Sequence, residues 1–154
     1  ACSTAGDWKA EGMGDLKLTY QVDGGDLVQA GEASSQMKMT LKKLGLPPEI
    51  IRKASVCMYE GEINMVIHAD GGRVEVEVGM DAITIRLIDQ GPGIPDVDRA
   101  MEEGYSTAGD VARDLGFGAG MGLPNMKRYS DEMRIDTTVG VGTTVTMRID
   151  INNG

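Results

Sequence analysis

The sequence predicts an α/β two-layer sandwich, in which helices cover one face of a mixed, mostly antiparallel sheet. The pattern of the candidate strands predicts this class, and the chain length predicts a single domain. The candidate strands alternate apolar and polar residues, which is typical of a sheet with one wet face, whereas strands covered on both faces are apolar throughout. The length of 154 residues also corresponds to one domain with a sizeable core.

The first half of the chain predicts a strand and two helices. Residues 16–22 (LKLTYQV) alternate and indicate a strand. Two glycines break it, and a helix capped by Asp26 is expected to run to about Leu44, where another glycine ends it. The Pro-Pro pair at 47–48 opens a second helix, which is expected to run to about Ala69.

The second half predicts four strands and two short helices. Two alternating runs are separated by a Gly-Met-Asp turn and are expected to pair as a hairpin. A helix over 96–104, capped by Asp96, and a helix over 123–131 are separated by a loop region at 105–122. That loop is longer than a connection requires, which is typical of a lid or of a disordered segment. The predicted strands cover 73–78, 83–89, 133–137 and 144–151.

The composition is that of a globular protein with an acidic surface. The net charge of −9 argues against nucleic acids and anionic membranes as partners. Cys2 and Cys57 form no disulfide framework or metal motif, which fits a reducing cytoplasm. No apolar run approaches the roughly 18 residues needed to span a bilayer, and no signal peptide is visible. Residues 1–15 show no periodicity and are expected to be a tail or tag-like segment, which leaves 16–151 as a single domain.

The first chemical motif is a glycine-rich stretch, DLGFGAGMGLPNMKRY, from Asp114 to Tyr129. It lacks the glycine spacing of a dinucleotide-binding fingerprint and the Gly-Lys-Ser/Thr of a P-loop. It does lead into a predicted helix at Leu123, and the free N–H groups of a helix N-terminus suit phosphate. A flexible surface loop is the alternative interpretation.

The second motif is LIDQGPGIPD, in which Asp89 ends a predicted strand and is followed by Gly91 and Gly93. A carboxylate at a strand end can accept a hydrogen bond from an exocyclic amine such as that of adenine, and the glycines would let a flat ring lie on the backbone. The alternative is an ordinary turn in which the aspartate bonds to its own backbone.

The third motif places Glu60, Asn64 and His68 four residues apart on one face of the second helix. Asn64 offers a neutral oxygen to a hard cation such as Mg²⁺, and Glu60 could take a proton from a hydroxyl. The alternative is a partly exposed polar face, with His68 serving helix-end stabilisation or packing. Glu62 is expected to serve solubility. The adjacent apolar stripe, expected to meet the sheet, consists of Val56, Tyr59, Ile63, Val66 and Ile67.

In chain order, these motifs resemble the Bergerat ATP-binding fold. They are E-x3-N at 60–64, D-x-G-x-G at 89–93, the glycine-rich segment with G-x-G, and Gly142-Thr143 before the final strand. The superfamily contains gyrase-type topoisomerases, heat-shock chaperones, histidine kinases and MutL-type repair proteins. Within it, the short single-domain layout is most similar to the anti-sigma factor serine/threonine kinases, over residues 16–151.

The resemblance implies a site for Mg-ATP. Glu60 would be the general base, and Asn64 would be the Mg²⁺ ligand. Asp89 would bind the adenine amine, with support from Thr143. The other implied nucleotide-binding residues are Gly91 and Gly93 beside the base and Gly118, Gly120 and Gly122 around the phosphates.

The function implied by the resemblance is a cytoplasmic kinase that transfers the ATP γ-phosphoryl to a serine or threonine of a partner regulatory protein. The partner would be an anti-sigma antagonist-like protein or a sigma factor. The alternative is a catalytically weak, ATP-dependent switch that gates a protein interface, including that of a homodimer. No basic residue lies between Arg113 and Lys127, a departure that bears on catalytic rate more than on binding. A detached histidine-kinase domain is disfavoured, because the single histidine is His68.

Overall fold

In the computed structural model, which describes residues 16–25, 28–102 and 122–151, the elements follow the predicted order. They are β1 (Leu16–Asp23), α1 (Glu32–Lys43), α2 (Pro48–His68), β2 (Gly71–Val78), β3 (Ala82–Asp89), α3 (Val97–Ala100), α4 (Gly122–Tyr129), β4 (Glu132–Thr138) and β5 (Gly142–Asp150). The predicted tail at 1–15 and nearly all of the predicted loop lie outside the described residues. Along the described chain, no helix has both the length and the apolar character needed to cross a membrane.

Five strands form one sheet in the order β1-β2-β3-β5-β4, so β3 lies at its centre. The pairings among these described strands are all antiparallel, which confirms the predicted antiparallel character and is more uniform than the mixed sheet that was expected. The predicted hairpin between β2 and β3 is confirmed, and the Gly79 N–H closes its turn by donating to the Ala82 carbonyl at 2.9 Å.

The two faces of the sheet differ as the alternation predicts. On β2, Val74 and Val76 are fully buried, whereas Arg73 is exposed and Glu77 is only half-buried. Arg86 on β3 pairs with Glu77 across the outer face at 3.2 Å, so this face carries charge towards solvent. The inner face is covered by helices and forms an aliphatic core rich in methionine, a residue that fills irregular gaps well. Its buried methionines are Met37, Met58, Met65, Met126 and Met147.

Helix α2 lies directly on β3 because of a glycine at the contact. A Cβ atom at Gly61 would lie 2.4 Å from Cδ2 of Leu87, so a side chain here would require Leu87 or the helix to move. The predicted apolar stripe of α2 is therefore partly wrong: Ile63 and Val66 are buried, but Tyr59 is 39% exposed. The buried face is displaced towards the glycine, because the helix approaches the sheet where it has no side chain.

Helix α1 begins later than predicted. Its N-cap is Gly31, with φ of 99°, whereas the predicted cap, Asp26, lies outside the described residues. The reason is a cap from a distant residue: the carboxylate of Glu62 accepts hydrogen bonds from the N–H groups of Gly31, Ala33 and Ser34 at 2.9, 3.1 and 3.0 Å. Glu62 is 2% exposed, so its predicted role in solubility is wrong.

Helix α3 is shorter than the predicted helix over 96–104. It covers Val97–Ala100, and Asp96 caps it as predicted by accepting a hydrogen bond from the Arg99 N–H at 3.1 Å. The observed bounds of α2 and α4 agree closely with the predicted ones: α2 begins at Pro48, and α4 begins at Gly122. Both therefore carry their motif residues on regular helical turns.

Candidate functional site

The first half of the candidate site lies at the end of β3. Oδ1 of Asp89 accepts hydrogen bonds from the N–H groups of Gly91 at 2.9 Å and Thr143 at 3.2 Å. Asp89 and Thr143 are also register partners on β3 and β5. Within the described part of the chain, no hydrogen bond reaches Oδ2, so one oxygen is fixed by backbone and the other is directed to no described partner. A half-buried carboxylate with this arrangement can accept a hydrogen bond from an amine.

The glycines around Asp89 are required by close backbone packing. A Cβ atom at Gly91 would lie 2.7 Å from Ala69, and one at Gly93, where φ is 80°, would lie 2.6 Å from the Thr138 carbonyl oxygen. The turn after β3 is thereby held between the end of α2 and the β4–β5 turn. From the sequence, we explained these glycines by a flat ligand that lies against the backbone. The structure shows that neighbouring protein atoms alone already leave no room for a side chain at either position.

A threonine that sequence reasoning missed supports this end of the site. Oγ1 of Thr137 lies 2.9 Å from Oγ1 of Thr143 and accepts a hydrogen bond from the Ile94 N–H at 2.9 Å. The hydroxyl of Thr137 therefore joins β4, β5 and the turn after β3. The signal was present as a threonine in the last predicted hairpin, but only strand register places it beside Thr143.

The second half of the candidate site lies between α2 and α4. Nδ2 of Asn125 donates a hydrogen bond to Oε2 of Glu60 at 2.6 Å. One turn further along α2, the carboxamide of Asn64 lies against Gly122, where a Cβ atom would be 2.8 Å from Nδ2 of Asn64. The first residue of α4 therefore touches the predicted metal ligand, and a later residue of the same helix holds the predicted base.

The two halves are connected by α2. Gly61 contacts Leu87 on β3, and Ala69, just after the helix, contacts Gly91. Asn64 lies between these two contacts, which are about 12 Å apart along the helix axis. The same stretch of α2 that carries Glu60 and Asn64 therefore runs over the end of β3 at Asp89.

Two further side chains on α2 have perturbed acidity. Burial raises the pKa of the Cys57 thiol to about 12, and its Sγ lies 3.7 Å from the Met126 carbonyl oxygen as a hydrogen-bond donor. Burial lowers the pKa of His68, which disfavours the charged imidazole and so supports packing over interaction with the helix dipole. Neither group is placed for nucleophilic or metal chemistry.

The donor set suits a cation that needs few protein ligands. Among the described residues, no three His, Cys, Asp or Glu side chains are grouped to hold a metal. A neutral carboxamide such as that of Asn64 fits Mg²⁺, which usually takes one or two protein ligands and completes its shell with phosphate oxygens and water. A groove of about 510 Å³ between β1, α1 and α2 lies apart from this region, since neither Asn64 nor Asp89 lines it.

Comparison with known proteins identifies the family. Residues 56–153 match the family described as histidine kinase-, DNA gyrase B-, and HSP90-like ATPase. The chain belongs to this ATPase family. The resemblance deduced from the motifs is thereby confirmed, and the matched range contains both halves of the candidate site. Gly118 and Gly120 also fall within that range, but they lie outside the described residues.

Individual relatives of this ATPase domain are similar over most of their length. The serine/threonine-protein kinase RsbT of Bacillus subtilis is 33% identical over 108 residues, which cover 68% of this chain and 75% of the relative. The anti-sigma F factor of Clostridium beijerinckii is 31% identical over 129 residues, covering 79% and 87%. The solved mycobacterial sensor histidine kinase MprB aligns over 88% of this chain and 97% of its own, with a TM-score of 0.51 and 16% identity, which shows a common fold.

Proposed function

We propose that this ATPase-family chain is a Mg-ATP-dependent serine/threonine protein kinase of the anti-sigma factor type. One observation carries the proposal: Glu60 and Asn64, one turn apart on α2, both contact α4, which begins at the last glycine of the glycine-rich segment. The residues proposed as general base and magnesium ligand are thus adjacent to the helix start that is proposed to bind phosphate. The names of the RsbT and anti-sigma F relatives support the same class of activity.

In this proposal, Asp89 binds the adenine end of the nucleotide. Oδ2 would accept the hydrogen bond of the exocyclic amine, while Gly91 and Thr143 fix Oδ1. The adenine would be flanked by Gly91 and Gly93. A carboxylate that is oriented by two backbone N–H groups loses little freedom when it binds a ligand, which favours affinity and base selectivity.

The phosphate end would be held by backbone. Gly118, Gly120 and Gly122 would surround the phosphates, and the N–H groups at the start of α4 carry the positive end of the helix dipole. The Asn64 carboxamide oxygen would hold Mg²⁺. These residues add no negative charge at this end, which matters in a chain with a net charge of −9.

Glu60 is the residue proposed to act on the protein substrate. When bound, ATP supplies the γ-phosphoryl group that is transferred. Glu60 accepts the proton of the attacking serine or threonine hydroxyl and orients that hydroxyl for in-line attack. Asn125 occupies Oε2 of Glu60, which leaves Oε1 for this proton. The partner would be an anti-sigma antagonist-like protein or a sigma factor, and the setting would be the cytoplasm, where the free thiol of Cys57 remains reduced.

A binding switch is the second candidate, and the packing of α4 favours it. Because α4 contacts both Glu60 and Asn64, a nucleotide at its start could reposition the helix and thereby gate a protein interface or a homodimer without phosphoryl transfer. The proposal in either form treats residues 16–151 as a single ATP-binding domain, with 1–15 as a tail.

The substitution Glu60→Gln tests the kinase proposal. The variant is expected to bind Mg-ATP in calorimetry with the affinity of the wild type but to lose transfer of labelled phosphate to a purified antagonist-like protein of the same source. Glu49→Gln is the matched control, because it makes the same change on an exposed part of α2. Transfer that survives in Glu60→Gln removes Glu60 from the mechanism. Partner binding that depends on ATP, with no transfer by the wild type, favours the switch. Absence of any heat with Mg-ATP contradicts both.

A further inference from the structure

The shortest contact at the candidate site joins two helices through one side chain. Nδ2 of Asn125, on α4, lies 2.6 Å from Oε2 of Glu60, on α2, and both residues are half-buried. A carboxylate can only accept hydrogen bonds, and the amide group of asparagine donates at any pH. The bond therefore persists with the carboxylate in its ionised form, which is the form a base requires.

This hydrogen bond belongs to a continuous register between the two helices. Cys57 contacts Met126, Glu60 contacts Asn125, and Asn64 contacts Gly122. The residue numbers rise along α2 and fall along α4, so the helices pack antiparallel over these turns. A displacement of α4 along α2 would separate these contacts together, and the orientation of Glu60 is thereby tied to the position of α4.

We propose that Asn125 is the positioning residue of Glu60, and that it sets the rate of phosphoryl transfer without contributing to nucleotide affinity. The inference rests on the proposed kinase function. By holding Oε2, the Asn125 amide restricts rotation of the carboxylate and presents Oε1 to the hydroxyl of the protein substrate. Loss of such orientation is costly, because a misplacement of about 1 Å can reduce a rate by up to about 100-fold.

The test compares two substitutions that differ in shape and charge. Asn125→Ala removes the donor and leaves space, whereas Asn125→Asp keeps the shape but places a second carboxylate against Glu60. If Asn125 orients the base, both substitutions lower kcat by about 10- to 100-fold, and Asn125→Asp is the slower of the two. The Kd of the uncharged variant Asn125→Ala for Mg-ATP stays within about twofold of the wild type. If Asn125 only fills space, the order is reversed, because the isosteric aspartate packs better than alanine.

Gln36→Ala is the matched control. It removes another carboxamide-to-carboxylate hydrogen bond, the exposed one from Gln36 to Glu32 at 3.3 Å on α1, and is expected to leave kcat unchanged. The double variant Glu60→Gln/Asn125→Asp reverses donor and acceptor. It is expected to recover the melting temperature lost in Asn125→Asp, because the pair can again form a hydrogen bond between α2 and α4. Failure to recover it would show that the two side chains do not act through this bond.

The outcomes separate this inference from the function on which it rests. A wild type that transfers phosphate, together with an Asn125→Ala variant of equal kcat, overturns the role of Asn125 and leaves the kinase intact. A tenfold loss of Mg-ATP affinity in Asn125→Ala also overturns it, because the residue would then act on the nucleotide. A wild type that transfers no phosphate to its partner overturns the kinase proposal and this inference together.

Discussion

The buried carboxylate of Glu62 lies at the N-terminus of α1, against its first turn. Its two oxygens accept hydrogen bonds from the N–H groups of Gly31, Ala33 and Ser34, between 2.9 and 3.1 Å. The first N–H groups of a helix have no partner within the helix, and the negative charge opposes the positive end of the helix dipole. The side chain therefore acts as an N-cap supplied by another helix, and its replacement with glutamine tests that role.

The expected loss of unfolding free energy depends on how many of these three hydrogen bonds glutamine can still accept in the variant Glu62→Gln. Its amide oxygen, in place of Oε2, would retain the bonds from Gly31 and Ala33, but its NH₂ group would face the N–H of Ser34. An unsatisfied buried donor costs about 1–3 kcal/mol. The lost charge at the helix N-terminus costs about 0.3–2 kcal/mol more. We therefore expect Glu62→Gln to lower the free energy of unfolding by about 1–5 kcal/mol.

Urea unfolding followed by circular dichroism measures this loss, and thermal unfolding should show a fall in Tm of about 2–20 °C. Glu49→Gln provides the control, because Glu49 lies on the same helix with a side chain that is 60% exposed, and little change is expected. A Glu62→Gln variant whose unfolding free energy lies within about 0.5 kcal/mol of the wild type would refute the capping role.

Two further substitution experiments address the nucleotide end of the site and the buried thiol. In Gly122→Ala, the new Cβ would displace the Asn64 carboxamide, whose Nδ2 atom would lie only 2.8 Å away. Calorimetry should therefore show Mg-ATP binding weakened about tenfold, with little change in Tm. Unaltered affinity would argue against a role for this contact in binding. Burial raises the pKa of Cys57 to about 12. In a Cys2→Ser variant, where Cys57 is the one remaining thiol, a thiol-specific reagent at pH 8 should therefore label the folded protein far more slowly than the unfolded protein. The raised pKa also means that stability falls as the pH rises from about 9 towards 12, where only the unfolded state ionises. Rapid labelling of the native protein would contradict the burial.

Local patterns predicted the elements that depend on local physics. The alternation of residues 73–78 identified both the strand and its buried face, because the period of two is a property of the strand itself. Pro48 marked the start of α2 because proline fits the first turn of a helix. The motif residues Asp89 and Thr143 were paired by resemblance, and the register of β3 with β5 places them opposite each other.

The errors came from contacts between residues distant in sequence. The start of α1 depends on Glu62, which is 31 residues from Gly31, so no window around the helix could show it. Asn125 follows a glycine-rich segment and a proline, where it resembles an ordinary residue of a first helical turn. Its bond to Glu60 spans 65 residues and depends on how α4 packs on α2. The roles of the site residues in nucleotide binding remain predictions.

Three consecutive residues of α2 join the proposed site to the packing of the fold. Successive residues of a helix point about 100° apart, so Glu60, Gly61 and Glu62 face three different neighbours. Glu60 meets Asn125 on α4, Gly61 rests on Leu87 of β3, and Glu62 caps α1. Gly61 leaves room for the Leu87 side chain beneath this turn of the helix. If a side chain at position 61 moved the helix and not Leu87, it would displace the proposed base and the cap together, because both are carried by the same turn of α2.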